Sequence, residues 1–257
     1  MNARSRPRVL VALGTALAAS LGLSGYLVFF AHKYYVDASA VRLDPGGLKT
    51  WETDRSRARP EEPILVFFGD SRAFMWSEPA APTGFHVLNR GVSYQTTAQM
   101  LLRFDADVAS LHPAVVVLEA GVNDLKAVAE FPSRRDEIVR DCEANLTTLV
   151  HRMTDLGAQV VLVSVFRIGD VPLWRRPFWS ADVDAAVPEV NAFLRGLAQE
   201  RARDGVVWFD ANPLLEGEGG RIRRSYEIDH LHLNADGYAA INAGLVPLLR
   251  SLAERGK

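Results

Sequence analysis

Cysteine is almost missing from this chain. Cys142 is the only one in 257 residues, which excludes an intrachain disulfide framework and a multi-cysteine metal cluster. An excess of basic charge is missing as well: 29 Lys and Arg stand against 31 Asp and Glu, for a formal net charge of −2. Nucleic acid as a partner is therefore not expected. No internal repeat or low-complexity tract is present, and no glycine-rich phosphate loop follows the first apolar run, which argues against a nucleotide binder. The length suits one domain with an appendage.

Charge is also absent from one long stretch. Val9 to Ala31 holds no charged residue over 23 positions, with Arg4, Arg6 and Arg8 before it and His32 and Lys33 after it. At about 1.5 Å per residue, such a helix crosses the roughly 30 Å hydrocarbon core of a bilayer. Its apolar residues cover every face, unlike the single stripe of a soluble helix. A cleaved signal peptide has a shorter apolar region of about 7–15 residues. Ala38-Ser39-Ala40 fits a cleavage pattern but lies past Lys33-Tyr34-Tyr35. The reading is an uncleaved anchor over residues 1–33, with the arginines on the cytoplasmic side and the remainder periplasmic or extracellular. No cysteine near the N-terminus suggests a lipoprotein. Residues 34–63 read as a polar stem carrying Pro45-Gly46-Gly47 and the charged run from Glu52 to Glu62. Trp51 either packs on the following domain or stands exposed.

From residue 64 to 257, apolar runs alternate with helical patterns. Ile64 to Phe68 is a run of the kind that forms a strand buried on both faces, and Ala114 to Glu119 reads as another strong strand. His86–Asn89, Gln159–Val165 and Val206–Phe209 supply three more. Leu101, Phe104, Val108 and Leu111 recur at helical spacing, as do Ile138, Cys142, Leu146, Leu149, Met153 and Leu156, ending at Gly157 as a C-cap. Cys142 on that stripe reads as a buried hydrophobe. Pro188 suits the first turn of a helix carrying Val190, Phe193, Leu194 and Leu197. Asn234 suits the N-cap of a last helix that Pro247 bends. The alternation predicts an α/β fold with three α/β/α layers: a doubly wound five-stranded parallel sheet of flavodoxin-like type, preceded by one transmembrane helix.

Polar residues gather where the strands end. Gly69-Asp70-Ser71 follows the first strand, Asn89-Arg90-Gly91 the second and Gly121-Val122-Asn123-Asp124 the third, while Asp229-His230-Leu231-His232 precedes the last helix. Open α/β sheets bind ligands at the C-terminal ends of their strands. A serine there becomes a nucleophile when a base, an orienting acid and donors for an oxyanion surround it. Each residue also has a structural use. Ser71 suits a helix N-cap, Asn123 and Asp124 suit turns and caps, and Asp70 suits a hydrogen bond within its turn. Asp229, His230 and His232 together resemble part of a metal cluster, but no other region completes a ligand set.

These four blocks, in this order over about Ile64 to Leu252, resemble the block set of the SGNH/GDSL hydrolases. The resemblance implies that Ser71 is the nucleophile, His232 the general base and Asp229 its orienter. It implies an oxyanion hole from the Ser71 N–H, the Gly91 N–H and the Asn123 side chain, with no cofactor and no metal. Arg72 departs from the leucine of the family's name. The expected activity is that of a serine esterase on glycan or lipid esters outside the cytoplasm. Its rivals are an O-acyltransferase on envelope polysaccharide and an inactive carbohydrate-binding module. Arg167 to Pro188 has the content of a loop over the site. Trp174, Arg175, Arg176, Phe178 and Trp179 serve there as a substrate lip, as a contact with the lipid interface, or simply to pack the loop down.

Overall fold

The computed structural model describes residues 6–52, 62–76, 84–176 and 179–255, which divide into two compact units at Pro45/Gly46. The first unit is one helix, α1 (Arg6–Leu43). Its apolar side chains are exposed all round, and by length and composition it can cross a membrane. It does not stop at Lys33: the next turns continue to Leu43, with Lys33 and Asp37 paired at 2.6 Å across one turn.

The stretch read as a polar stem is therefore not a single linker. Residues 34–43 extend α1, and Gly46–Glu52 belong to the second unit. There the Gly46 carbonyl accepts from Gln95 Nε2 at 2.8 Å, and Trp51 Nε1 donates to the Gly91 carbonyl at 3.0 Å. The Trp51 ring lies 6.1 Å from that of Phe74, so it packs rather than standing exposed. Most of the charged run between Glu52 and Glu62 lies outside the described residues.

The second unit is built on β1 (Ile64–Gly69). All six of its residues are buried, because both faces of the strand are covered. Its neighbours are β2 (His86–Gly91) and β3 (Val115–Glu119), followed outward by β4 (Gln159–Val163) and β5 (Val206–Phe209). The order is β2-β1-β3-β4-β5, every pairing parallel, as the strand–helix alternation predicted. Side-chain alternation divides the core. Ile64, Val66 and Phe68 point to one face, where α3 (Thr97–Asp107), α4 (Val122–Glu130), α5 (Arg135–Asp155) and α6 (Ala181–Glu200) cover them. Leu65 and Phe67 point to the other, against Trp76, α7 (Asn212–Leu215) and α8 (Ala235–Arg255). At roughly 1.5–3 kcal/mol for each large apolar side chain removed from water, this strand anchors both layers.

Local signals mostly hold. Gly157 ends α5 at a φ of 79°, and Asn234 Oδ1 accepts from Gly237 N at 3.0 Å at the start of α8. Pro247 lies inside α8. Cys142 is buried, and burial pushes its thiol well up, in keeping with a core role. Pro188 is a correction: it lies in the interior of α6, which begins at Ala181. Burial of Val183, Ala186 and Val187 extends that helix upstream despite the donor that proline lacks. The loop over the site accordingly ends at Ser180 rather than at Pro188. Strand β4 is also shorter than its apolar run, since Val165 and Phe166 leave the sheet while staying buried.

Candidate active site

The register sets Gly69, Gly91 and Glu119 side by side, so β1, β2 and β3 end level and release their loops at one edge. Gly69 admits no side chain, because a Cβ would collide with the Glu119 carbonyl. The chain turns at once: Asp70 caps α2 (Ser71–Phe74), its Oδ1 accepting from Arg72 N at 2.9 Å. Ser71 thus stands at the first position of α2, almost buried, rather than serving as the cap itself.

The C-terminal partner forms by a similarly local device. Asp229 Oδ1 accepts from Leu231 N at 2.7 Å and from His232 N at 2.9 Å, folding the loop back on the carboxylate. The fold-back places His232 Nδ1 2.9 Å from Asp229 Oδ2 and 3.0 Å from Oδ1. The other ring nitrogen, Nε2, lies 3.0 Å from Ser71 Oγ. Burial pushes the Asp229 acid up, but the His232 ring and the backbone N–H groups of Leu231 and His232 outweigh it and hold the group well below the usual range. A carboxylate at Nδ1 fixes the proton there, leaving Nε2 free to accept one from the serine.

Asn123 enters from the start of α4. Its Nδ2 donates to the Gln95 carbonyl at 3.0 Å, and Lys126 Nζ reaches its Oδ1 at 3.4 Å. An amide nitrogen carries two hydrogens, so one orients the side chain and the second is available to a ligand. Asp124 has a structural task, joining α4 to the start of α3. Its carboxylate takes the Thr97 N–H at 2.9 Å and the Thr97 hydroxyl at 2.6 Å. Burial lifts its acid to about 6 against those bonds.

Gly91 does not stand as the resemblance implied. Its N–H donates to Asn89 Oδ1 at 2.8 Å and is not free for an oxyanion. What requires glycine here is space, because a Cβ would strike the Phe74 amide. A few residues on, Tyr94 holds a φ of 66°, uncommon for a residue with a side chain, and is 81% exposed. Among the described residues the Tyr94 N–H has no acceptor. The loop it belongs to is the one gripped by Asn123 through Gln95.

The expected lip divides. Arg176 and Trp179 line a cavity of about 930 Å³ with Asp170, Asp184, Arg221 and Glu227, and Ile228 in its wall leads directly into Asp229. Trp179 is also packed down, its Nε1 on Asp184 Oδ1 at 3.0 Å and its ring 5.6 Å from His230. Trp174 and Arg175 stack on each other at 4.7 Å and do not line that cavity. Phe178 lies outside the described residues. His230 is buried against Trp179, and among the described residues no group of three His, Cys, Asp or Glu side chains is arranged to hold a metal.

Sequence reasoning missed Arg103. It is wholly buried on α3 and donates to the carbonyls of Gly69 at 2.8 Å and Arg90 at 2.7 Å, tying the ends of β1 and β2. Burial lowers its guanidinium to about 10 even with Asp107 beside it. The available signal was an arginine interrupting the apolar face of an amphipathic helix.

The model of the GDSL-like lipase/acylhydrolase family matches residues 67–240, from within β1 into α8. The chain belongs to that family. Solved structures agree on the fold. A GDSL-like lipase from Bacteroides thetaiotaomicron VPI-5482 superposes with a TM-score of 0.61 at 22% identity, over 82% of this chain and 98% of that one. A protein described as a putative platelet activating factor, from Streptococcus pneumonia, gives 0.64 at 22% identity, over 82% and 99%. A catalytic mutant of an acetylxylan esterase from Geobacillus stearothermophilus gives 0.56 at 17% identity, over 74% and 95%. No curated protein matches significantly. For this GDSL-like domain, identities at that level speak to architecture alone.

Proposed function

We propose that the protein is a serine ester hydrolase in which Ser71 is the nucleophile. The observation that carries this reading is the continuous hydrogen-bonded path from Ser71 Oγ through the His232 ring to Asp229, with contacts of 3.0 Å and 2.9 Å. Ser71 Oγ attacks the ester carbonyl carbon while Nε2 of His232 takes the hydroxyl proton. The imidazolium then gives that proton to the departing alcohol, leaving an acyl-serine. Water, deprotonated by His232, attacks the acyl carbon, and the proton returns to Ser71 as the acid leaves. The oxyanion is received by the Ser71 N–H and the second hydrogen of Asn123 Nδ2. In place of Gly91, the third donor is the unpaired N–H of Tyr94, in the loop that Asn123 holds.

The substrate we infer is a short acyl ester of a carbohydrate. The cavity whose wall includes Ile228, the residue before Asp229, is mixed: ion-paired groups such as Arg224 with Asp170 at 2.7 Å stand beside Val171, Pro172, Leu173 and Trp179. The charged groups suit the hydroxyls of a sugar, and the apolar ones with Trp179 suit the face of its ring. A similar structure is that of an acetylxylan esterase, which is consistent with this choice. Residues 1–33 serve as an anchor whose arginines lie in the cytoplasm, leaving the hydrolase outside it.

The test is a chain-length series of p-nitrophenyl esters, then acetylated oligosaccharides with product analysis. A steep fall from acetyl to octanoyl, with free acetate released, supports the reading. A preference for long chains would replace it with a lipase, and acetyl transfer to an added sugar in preference to water would make the protein an O-acyltransferase.

A further inference from the structure

We propose that Arg72 is a positioning residue that holds the histidine half of the triad against the serine half. The inference rests on the hydrolase reading above and assigns a task to a side chain that the reading leaves unused.

The triad comes from two distant parts of the chain. Ser71 sits on the β1–α2 turn, whereas Asp229 and His232 lie in the irregular segment between α7 and α8. The contact between Ser71 Oγ and His232 Nε2 is one hydrogen bond beside solvent, a weak tether for a loop. Arg72 supplies a stronger one. Its side chain is completely buried, and Nε donates to the carbonyl of Leu231 at 3.0 Å. The residue following the nucleophile is thus bonded to the residue preceding the base. Nη1 donates to the Phe166 carbonyl at 3.0 Å, and the guanidinium lies 5.1 Å from the Phe166 ring centre. The Arg72 carbonyl in turn accepts from the Tyr238 hydroxyl of α8 at 2.7 Å. A rigid planar fork reaching two carbonyls fixes direction as well as distance, which a lysine cannot reproduce.

Stability alone does not account for this arginine. The acid beside it is Glu119, 3.8 Å from Nη1 and also fully buried. Burial drives Glu119 well up, with Asp70 adding to the shift and Arg72 opposing it, and the guanidinium makes no hydrogen bond to the Glu119 carboxylate. Exchanging such a group for an apolar side chain of similar volume is often neutral or favourable to a fold. Geometry at the site is what the guanidinium contributes. A misplacement near 1 Å at a catalytic group costs roughly 10²-fold in rate.

The test uses the full chain in detergent and three variants: Arg72→Lys, Arg72→Leu, and Arg72→Leu combined with Glu119→Gln, which also removes the acid of the Arg72–Glu119 pair. Turnover of p-nitrophenyl acetate is measured per serine titrated to completion with a fluorophosphonate, and thermal melts are recorded alongside. The expected result is a fall in kcat per titrated site of about 30- to 100-fold in each variant, with KM within about threefold. The double variant should melt above Arg72→Leu yet gain no activity. A double variant or Arg72→Lys with wild-type kcat per site would overturn the proposal, as would unfolding of all three, since Arg72 would then be a residue of the fold. A wild-type chain that neither turns over ester nor labels would overturn the hydrolase reading and this inference with it.

Discussion

Asp229→Asn keeps the size and shape of the side chain that holds His232 while reversing one of its hydrogen bonds. The wild-type carboxylate receives three donors: the His232 ring at 2.9 Å and the N–H groups of Leu231 at 2.7 Å and His232 at 2.9 Å. An asparagine oxygen still satisfies the two backbone donors, so the loop keeps its form. Its amide nitrogen must then face Nδ1, which forces the imidazole to carry its proton on Nε2, pointing at Ser71 Oγ. In that tautomer the ring cannot take the serine proton. The same exchange at a buried triad acid costs about 10⁴ in kcat. The Asp229 side chain is 49% exposed, so water competes for its donors and the tautomer preference is weaker. A loss of about 10²–10³ is therefore expected, or roughly 3–4 kcal/mol of barrier, with KM within about twofold. The assay is steady-state hydrolysis of p-nitrophenyl acetate from pH 6 to 9, with a thermal melt to confirm the fold. A folded variant within tenfold of wild type would refute the assigned part of Asp229.

Three further outcomes follow from the same structure. Asp124 is lifted by burial from 3.8 to about 6, so the stability linked to its proton is complete below 3.8 and is lost as pH rises through 6. Wild type should accordingly gain on Asp124→Asn, by up to about 3 kcal/mol, between pH 7 and 4; a difference in melting temperature that is flat with pH would contradict this. Asn123→Ala should lower kcat by about 10²–10³ through loss of an oxyanion donor, with little change in melting temperature, and unchanged turnover would remove Asn123 from the site. The full chain should stay with membranes after carbonate washing and leave them only in detergent, whereas release by carbonate would argue against α1 as an anchor.

Much of this architecture is legible because the residues that build it have one dominant reason to be where they are. Ile64 to Phe68 are apolar on both alternating faces, and only a covered strand accommodates that. Asn234 and Gly157 mark helix ends because their side chain or backbone suits one local geometry. Legibility fails where a residue answers to partners far away in sequence. Residues 34–43 have no periodicity, yet they form helix, because a helix with no buried face has no stripe to show. Pro188 looks like a helix start until the burial of Val183 and Ala186 is seen. Arg72 and Arg103 show no task in the sequence, and only the carbonyls of Leu231, Phe166, Gly69 and Arg90 explain their burial. Ser71 and Asn123 were visible as residues of the right kind at strand ends and Asp229 and His232 ahead of the last helix, and the structure brings Ser71, His232 and Asp229 into one hydrogen-bonded line. The expectation for Gly91 failed because sequence cannot reveal that Asn89 occupies its N–H.

The identity of the nucleophile is tested most directly by treating the wild-type chain and Ser71→Ala with a fluorophosphonate, mapping the adduct by peptide mass spectrometry and measuring p-nitrophenyl acetate turnover on the same samples. The account predicts one adduct on the Ser71 peptide in wild type, and neither adduct nor turnover in a Ser71→Ala variant with an unchanged melt. Turnover that survives in that variant, or an adduct on another residue, would contradict it.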